Sequence, residues 1–218
     1  MDEGRLKEWE PLFAKAMTII DAAAVSLGEF TWSFGGGTAL MLKYRHRFSK
    51  DIDIFLRDPQ FIGHVTPRLS PAAEAVTDQY EEGGEWVKLR LPEGEIDFIG
   101  TGWLTTTPFR PERVMGRTVN VETPAEIVAK KVRYRAHNFK ARDLFDLATV
   151  LEQAPEAIRE IAPVIQGYRS VLLERVKSQR QALQEEFEAL DLIDTRKTLD
   201  DCIASLNRAF EMGHASRP

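Results

Sequence analysis

Phe34-Gly35-Gly36-Gly37-Thr38-Ala39-Leu40, followed by Ser49-Lys50-Asp51-Ile52-Asp53-Ile54-Phe55, is the stretch from which the rest of the chain is read. Phe30, Trp32 and Phe34 alternate with smaller residues, which predicts a strand. The three glycines allow a tight turn with positive φ. Thr38 to Tyr44 reads as a short helix and Asp51 to Leu56 as a second strand. Glycines between a strand and a helix let a phosphate approach backbone N–H groups and the positive helix end. A Gly-Gly-Gly segment also serves as a plain tight turn. Asp51 and Asp53 stand two residues apart, so their side chains share one face of the strand while Ile52 and Ile54 face the core. Neighbouring carboxylates repel, and Asp is disfavoured in strands. Either a cation neutralises the pair or the strand faces solvent. Mg²⁺ suits the first reading, because it takes hard oxygen ligands and completes its shell with water and substrate phosphate.

Working outward, residues 85–91 alternate and end at Pro92, Glu93-Gly94 reads as a turn, and Glu95 to Ile99 reads as the returning strand of a hairpin. Asp97 sits inside that strand between Ile96 and Phe98. It is either an exposed edge residue or a third metal ligand. Residues 113–121 suggest a further short hairpin. Residues 58–80, with Pro59, Pro67 and Pro71, read as a helix broken by loops. Upstream, Leu6, Trp9, Phe13, Met17, Ile20 and Ala24 recur at helical spacing, predicting a helix over 5–27 that stops at Gly28.

At Thr123-Pro124-Ala125-Glu126 the character changes. Thr-x-x-Glu with Pro at the first helical position is a capping box. Helices are expected over 124–136, 141–153, 155–166, 168–190 and 195–211. The organisation is therefore a mixed α/β half, 1–122, a helical half, 123–212, and a disordered tail, 213–218. Leu172, Leu173, Val176, Leu183, Phe187 and Leu190 recur at helical spacing as core or partner-helix contacts.

The bulk properties exclude several classes. The chain has 218 residues, with 43% hydrophobic and 29% charged, enough for a core that needs no disulfide or structural metal. A net charge of −5 argues against a protein that coats nucleic acid over its whole surface. Two local clusters are basic: Lys43, Arg45, His46, Arg47 and Lys50, and the run from Lys130 to Arg142. Each is either a solvated face or a phosphate contact, for a nucleotide or an RNA. His46 and His137 lack metal-ligand spacing and read as surface residues. Cys202 is the single cysteine and forms no internal disulfide, which agrees with a reducing, cytoplasmic location. No signal peptide is recognised at the N-terminus, and no apolar run reaches the roughly 20 residues that span a bilayer.

In order, the chain offers a strand, a glycine turn, a helix, Asp-x-Asp on a strand and a lone Asp on a later strand. This resembles the DNA polymerase β-like nucleotidyltransferase superfamily. Within it, Gly36-Gly37-Thr38-Ala39-Leu40, Arg47-Phe48-Ser49-Lys50-Asp51-Ile52-Asp53, the helical block Glu126 to Arg135 with Lys131, and Arg142-Asp143-Leu144-Phe145-Asp146-Leu147 resemble the AbiEii/AbiGii toxin family. The resemblance covers about residues 30–153. It implies an α+β fold: a nucleotidyltransferase-type mixed sheet with flanking helices, then a C-terminal helical bundle. It implies Asp51, Asp53 and Asp97 as ligands of Mg²⁺ or Mn²⁺, and Gly36, Gly37, Thr38, Arg47 and Ser49 as the nucleotide cradle. Lys131 would steady the triphosphate and Asp143, near a helix N-terminus, would assist the acceptor or simply cap the helix; Asp146 reads as a helix-face charge or a salt-bridge partner. The implied activity is transfer of NMP from an NTP to an RNA, the 3′ end of a tRNA, by a toxin paired with a cognate antitoxin. Protein or small-molecule acceptors, and a non-catalytic nucleotide-binding module, are the alternatives.

Overall fold

A computed structural model describes residues 3–28, 30–193 and 195–214. They form two compact units. The first comprises Met1–Leu42, Phe48–Trp103 and Phe109–Glu122; the second comprises Lys43–Arg47, Leu104–Pro108 and Thr123–Pro218. Two short segments earlier in the chain, Lys43–Arg47 and Leu104–Pro108, belong with the helical unit.

The first unit is built on a seven-stranded mixed sheet: β1 (Trp32–Gly35), β2 (Ile52–Leu56), β3 (Tyr80–Glu82), β4 (Trp86–Leu91), β5 (Gly94–Gly100), β6 (Phe109–Val114) and β7 (Arg117–Glu122). The spatial order is β3-β4-β5-β2-β1-β7-β6. β2 runs antiparallel to β1 and parallel to β5. β2 alternates buried and half-buried residues because Ile52, Ile54 and Leu56 face the core.

Helix α1 (Glu10–Leu27) covers the sheet with Leu12, Phe13, Ala16, Met17, Ile19 and Ile20. Phe13 meets Phe34 edge-on, ring centroids 5.2 Å apart. Each such side chain contributes about 1.5–3 kcal/mol by leaving water. The helix begins later than the expected residue 5, since Pro11 belongs in a first turn, and only a 3₁₀ turn, Arg5–Lys7, precedes it. Gly28, at φ +73°, ends it. The prolines between 58 and 80 leave a 3₁₀ segment, Pro59–His64, and a single turn, α3 (Pro71–Glu74). β6 and β7 extend the expected hairpin, joined by Met115 and Gly116 at φ +47° and +80°, a primed turn that suits the strand twist.

Helix α2 (Gly36–Tyr44) follows β1. The second unit adds α4 (Pro124–Arg135), α5 (Ala141–Gln153), α6 (Ile158–Gly167), α7 (Arg169–Ser178), α8 (Arg180–Glu188) and α9 (Leu199–His214). The expected 168–190 helix is two, divided at Gln179 (φ −115°, ψ 25°) with no Gly or Pro to mark the break. α9 starts at 199 because Thr198 and Asp201 cap each other: Asp201 Oδ2 accepts from Thr198 N at 2.8 Å. Of the expected tail, residues 215–218 lie outside the described residues, while 213–214 complete α9.

Only half of the expected capping box at Thr123 forms. Thr123 Oγ1 accepts from Glu126 N at 3.3 Å, but Thr123 N bonds Pro108 O. The fully buried Glu126 carboxylate instead accepts from Leu104 N, Thr105 N and Thr105 Oγ1, holding the Leu104–Pro108 segment in the second unit.

Candidate functional site

In the first unit, four adjacent strands bring a row of residues into line. Gly35 on β1 faces Asp53 on β2, Asp53 faces Asp97 on β5, and Asp97 faces Lys88 on β4. Register partners on neighbouring strands project to the same face. The backbone of Gly36 lies directly against Asp53: a Cβ built there would sit 1.8 Å from Asp53 Oδ2. Gly36 also holds φ +72°, which L side chains rarely adopt. So the glycines do two things: they make the turn, and they leave Asp53 room beside the α2 N-terminus, where backbone N–H groups lack intrahelical partners.

Thr38 fixes the lead-in to β2. Its hydroxyl donates to Asp51 O at 2.6 Å and lies 3.1 Å from Ser49 Oγ. Ser49 N in turn contacts Met41 Sδ at 3.3 Å. Asp51 precedes β2, and its Oδ1 accepts from Glu95 N at 3.0 Å. Asp51 thus ties the start of β2 to β5, while Asp53 and Asp97 form the cross-strand pair.

Burial pushes Asp97 up from 3.8 to about 6, and the charge of Asp53 adds to the effect; the Lys88 ammonium, 3.0 Å from Asp97 Oδ2, opposes it. Two carboxylates held together at such a cost suit a divalent cation, which binds one or two carboxylates and leaves the rest of its shell to water and phosphate. Among the described residues no three His, Cys, Asp or Glu side chains are grouped to hold a metal by themselves. The donor set that fits is therefore Asp53 with Asp97, completed by a ligand's oxygens.

The second unit holds a buried ionic network centred on Asp146, which is fully buried on α5. Arg47 grips it with both ends of the guanidinium, Nε to Oδ1 at 2.7 Å and Nη2 to Oδ2 at 2.8 Å. His46 Nε2 lies 2.7 Å from Oδ1, and Lys131 Nζ lies 3.0 Å from Oδ2. His46, expected at the surface, is buried and stacks on Phe145 at 5.5 Å. Arg45 makes this possible: at φ +50° it turns the chain out of α2, and His46 O then accepts from Ile193 N.

Lys131 also donates to Asp143 Oδ1 at 2.8 Å, and Asp143 Oδ2 accepts from Lys140 N at 3.2 Å. Asp143 is thus both helix cap and ion-pair partner. Burial works against its charge, but Lys131 and Arg135 hold its carboxyl below the usual range. Asp146 is held well below that range against its own burial, chiefly by the Arg47 and Lys131 charges.

The structure therefore puts Asp53 and Asp97 in one row with Gly36 lying against Asp53, links Thr38 with Ser49 and Asp51 at the lead-in to β2, and places Arg47, Lys131 and Asp143 in the second unit's network. Sequence reasoning missed Lys88 and the role of His46. Lys88 was readable only as one residue of an alternating strand, and its meaning depends on register.

A family model described as "Nucleotidyl transferase AbiEii toxin, Type IV TA system" matches residues 19–213. No curated protein matches the sequence. Among solved structures, a candidate nucleotidyltransferase from H. pylori is similar at 15% identity, with a TM-score of 0.54 over 99% of this chain and 96% of that one. MenT4, a nucleotidyltransferase toxin from Mycobacterium tuberculosis H37Rv, is similar at 16% identity, with a TM-score of 0.53 over 93% of this chain and 82% of that one. At these identities the two structures show a shared fold.

Proposed function

The chain belongs to the nucleotidyl transferase AbiEii toxin family, and from that premise we propose that it transfers a nucleoside monophosphate from an NTP to an RNA, the 3′ end of a tRNA, as the divalent-cation-dependent toxin partner of a cognate antitoxin. The observation that carries this reading is the Asp53–Asp97 register pair with Gly36 lying against it.

Asp53 and Asp97 would hold Mg²⁺ or Mn²⁺, with Asp51 as a further ligand or as the anchor between β2 and β5. A divalent cation, when bound, supplies positive charge at the α-phosphate and at the leaving pyrophosphate. The Gly36, Gly37 and Thr38 N–H groups at the α2 N-terminus receive phosphate oxygens, and Ser49 keeps Thr38 and the β2 lead-in in place. The acceptor oxygen bonds to the α-phosphorus as the bond from that phosphorus to the bridging oxygen breaks; pyrophosphate departs and the hydroxyl proton passes to water.

Within the second unit, Lys131 and Asp143 are the proposed functional residues. Asp143 stays ionised against the Lys131 ammonium, so it is a weak base, and the ammonium is already balanced by Asp143 and Asp146 until a phosphate draws it away. Arg47 fixes Asp146, and through it Lys131. The RNA reading draws support from Arg133, Tyr134, His137 and Lys140, which are all exposed and combine cations with an aromatic face.

Incubation with each α-³²P-labelled NTP, Mg²⁺ and total tRNA tests this. Label on RNA supports the reading. Label on protein alone replaces the acceptor, and no label anywhere with NTP still bound removes the catalytic claim.

A further inference from the structure

Lys88 stands at the end of the carboxylate row. It is the direct register partner of Asp97, and its ammonium is 3.0 Å from Asp97 Oδ2. The same ammonium also bonds Glu95 Oε2, one residue pair further along β5. Arg90, on β4, bonds the other Glu95 oxygen at 2.9 Å and reaches Glu81 on β3 at 2.8 Å. Glu95 is therefore a second anchor for Lys88, and it has its own cation in Arg90. Both Lys88 and Asp97 are about three-quarters buried, at 25% and 20% side-chain exposure, so their attraction is screened less than that of an open surface pair.

We propose that Lys88 is the resting counter-ion of Asp97, and that a divalent cation enters the Asp53–Asp97 pair by displacing the Lys88 ammonium onto Glu95. The inference rests on the metal-site reading above. Lys88 is a positioning residue: it touches a metal ligand and sets how tightly the cation is held before nucleotide arrives. Its ammonium sits between two carboxylates, bonding Glu95 Oε2 and Asp97 Oδ2, so it competes with a cation for Asp97. A cation binding here meets one occupied carboxylate and a like charge nearby. Both weaken its hold in the absence of nucleotide phosphates, which bring compensating negative charge.

The test is Mn²⁺ binding to the nucleotide-free full chain, read by the loss of the free-ion paramagnetic resonance signal. Four proteins are compared: wild type, Lys88→Gln, Lys88→Arg and Asp53→Asn, each with folding checked by circular dichroism. Lys88→Gln tightens Mn²⁺ binding about five- to tenfold, because it removes the competing charge. Lys88→Arg, which keeps the charge, leaves binding within about twofold of wild type. Unchanged or weaker binding in Lys88→Gln, with binding lost in Asp53→Asn, overturns the proposal and leaves the metal site standing. Equal binding in wild type and Asp53→Asn overturns the metal site, and the proposal with it. If Lys88→Gln does not fold, tightening in Lys88→Arg overturns the proposal, and wild-type-like binding there supports it.

Discussion

Asp53 and Asp97 are register partners on parallel β2 and β5, and the burial and mutual repulsion of these carboxylates raise Asp97 to about 6. A raised carboxyl pKa means the folded chain holds that proton more tightly than the unfolded one. Its contribution to stability is complete below 3.8 and is lost as pH rises through about 6. Metal-free Asp97→Asn is therefore expected to match wild type near pH 4 and to exceed it above pH 6 by about 2–3 kcal/mol. Urea melts across that range check it; parallel curves for the two proteins would contradict it.

Gly36→Ala is expected to abolish the row's geometry. The new Cβ meets the Asp53 carboxylate, and φ +72° strains any side chain. The expected cost is about 1–3 kcal/mol in stability and about 10²-fold in nucleotide transfer. Gly102→Ala is the control, since a Cβ there meets nothing within 4 Å; it should fall within about 0.5 kcal/mol. Equal behaviour of the two variants would sink the close-approach account.

Asp146→Ala leaves the Arg47 and Lys131 charges buried without the carboxylate that joins them. The expected loss is about 3–5 kcal/mol. Because Asp146 and Asp143 are held below the ordinary carboxylate range, the stability they contribute is present at neutral pH and lost as pH falls below that range. Thermal melts from pH 7 downward read both effects, and an Asp146→Ala variant that melts like wild type would contradict the first.

Glu126→Ala should release the Leu104–Pro108 segment. Amide exchange at Leu104 and Thr105, both bonded to Glu126, should quicken by about 10- to 100-fold, corresponding to about 1–3 kcal/mol. Unchanged exchange at these two amides would show that the carboxylate does not hold the segment.

Much of this protein is legible along the chain because its signals are local. The glycine turn and the alternation of Ile52, Ile54 and Leu56 along β2 each depend on a few neighbouring residues, whereas Asp51, expected on the same strand, precedes it and turns to Glu95 N. What escaped depends on contacts distant in sequence. Lys88 meets Asp97 only once β4 and β5 are in register, and His46 and Arg47 meet Asp146 across about a hundred residues. Glu126 fits a capping-box spacing, yet three donors from residues 104 and 105 outcompete the single Thr123 N–H, which Pro108 already satisfies. The break at Gln179 has no local cause in the sequence.

Pyrophosphate release from NTP in the presence of Mg²⁺ and tRNA, compared between wild type, Asp53→Asn and Asp97→Asn, tests the central claim most directly. The account predicts release by wild type that stops on chelation and falls by about 10³-fold or more in both variants, each remaining folded. Release that survives chelation, or that persists in either folded variant, would contradict it.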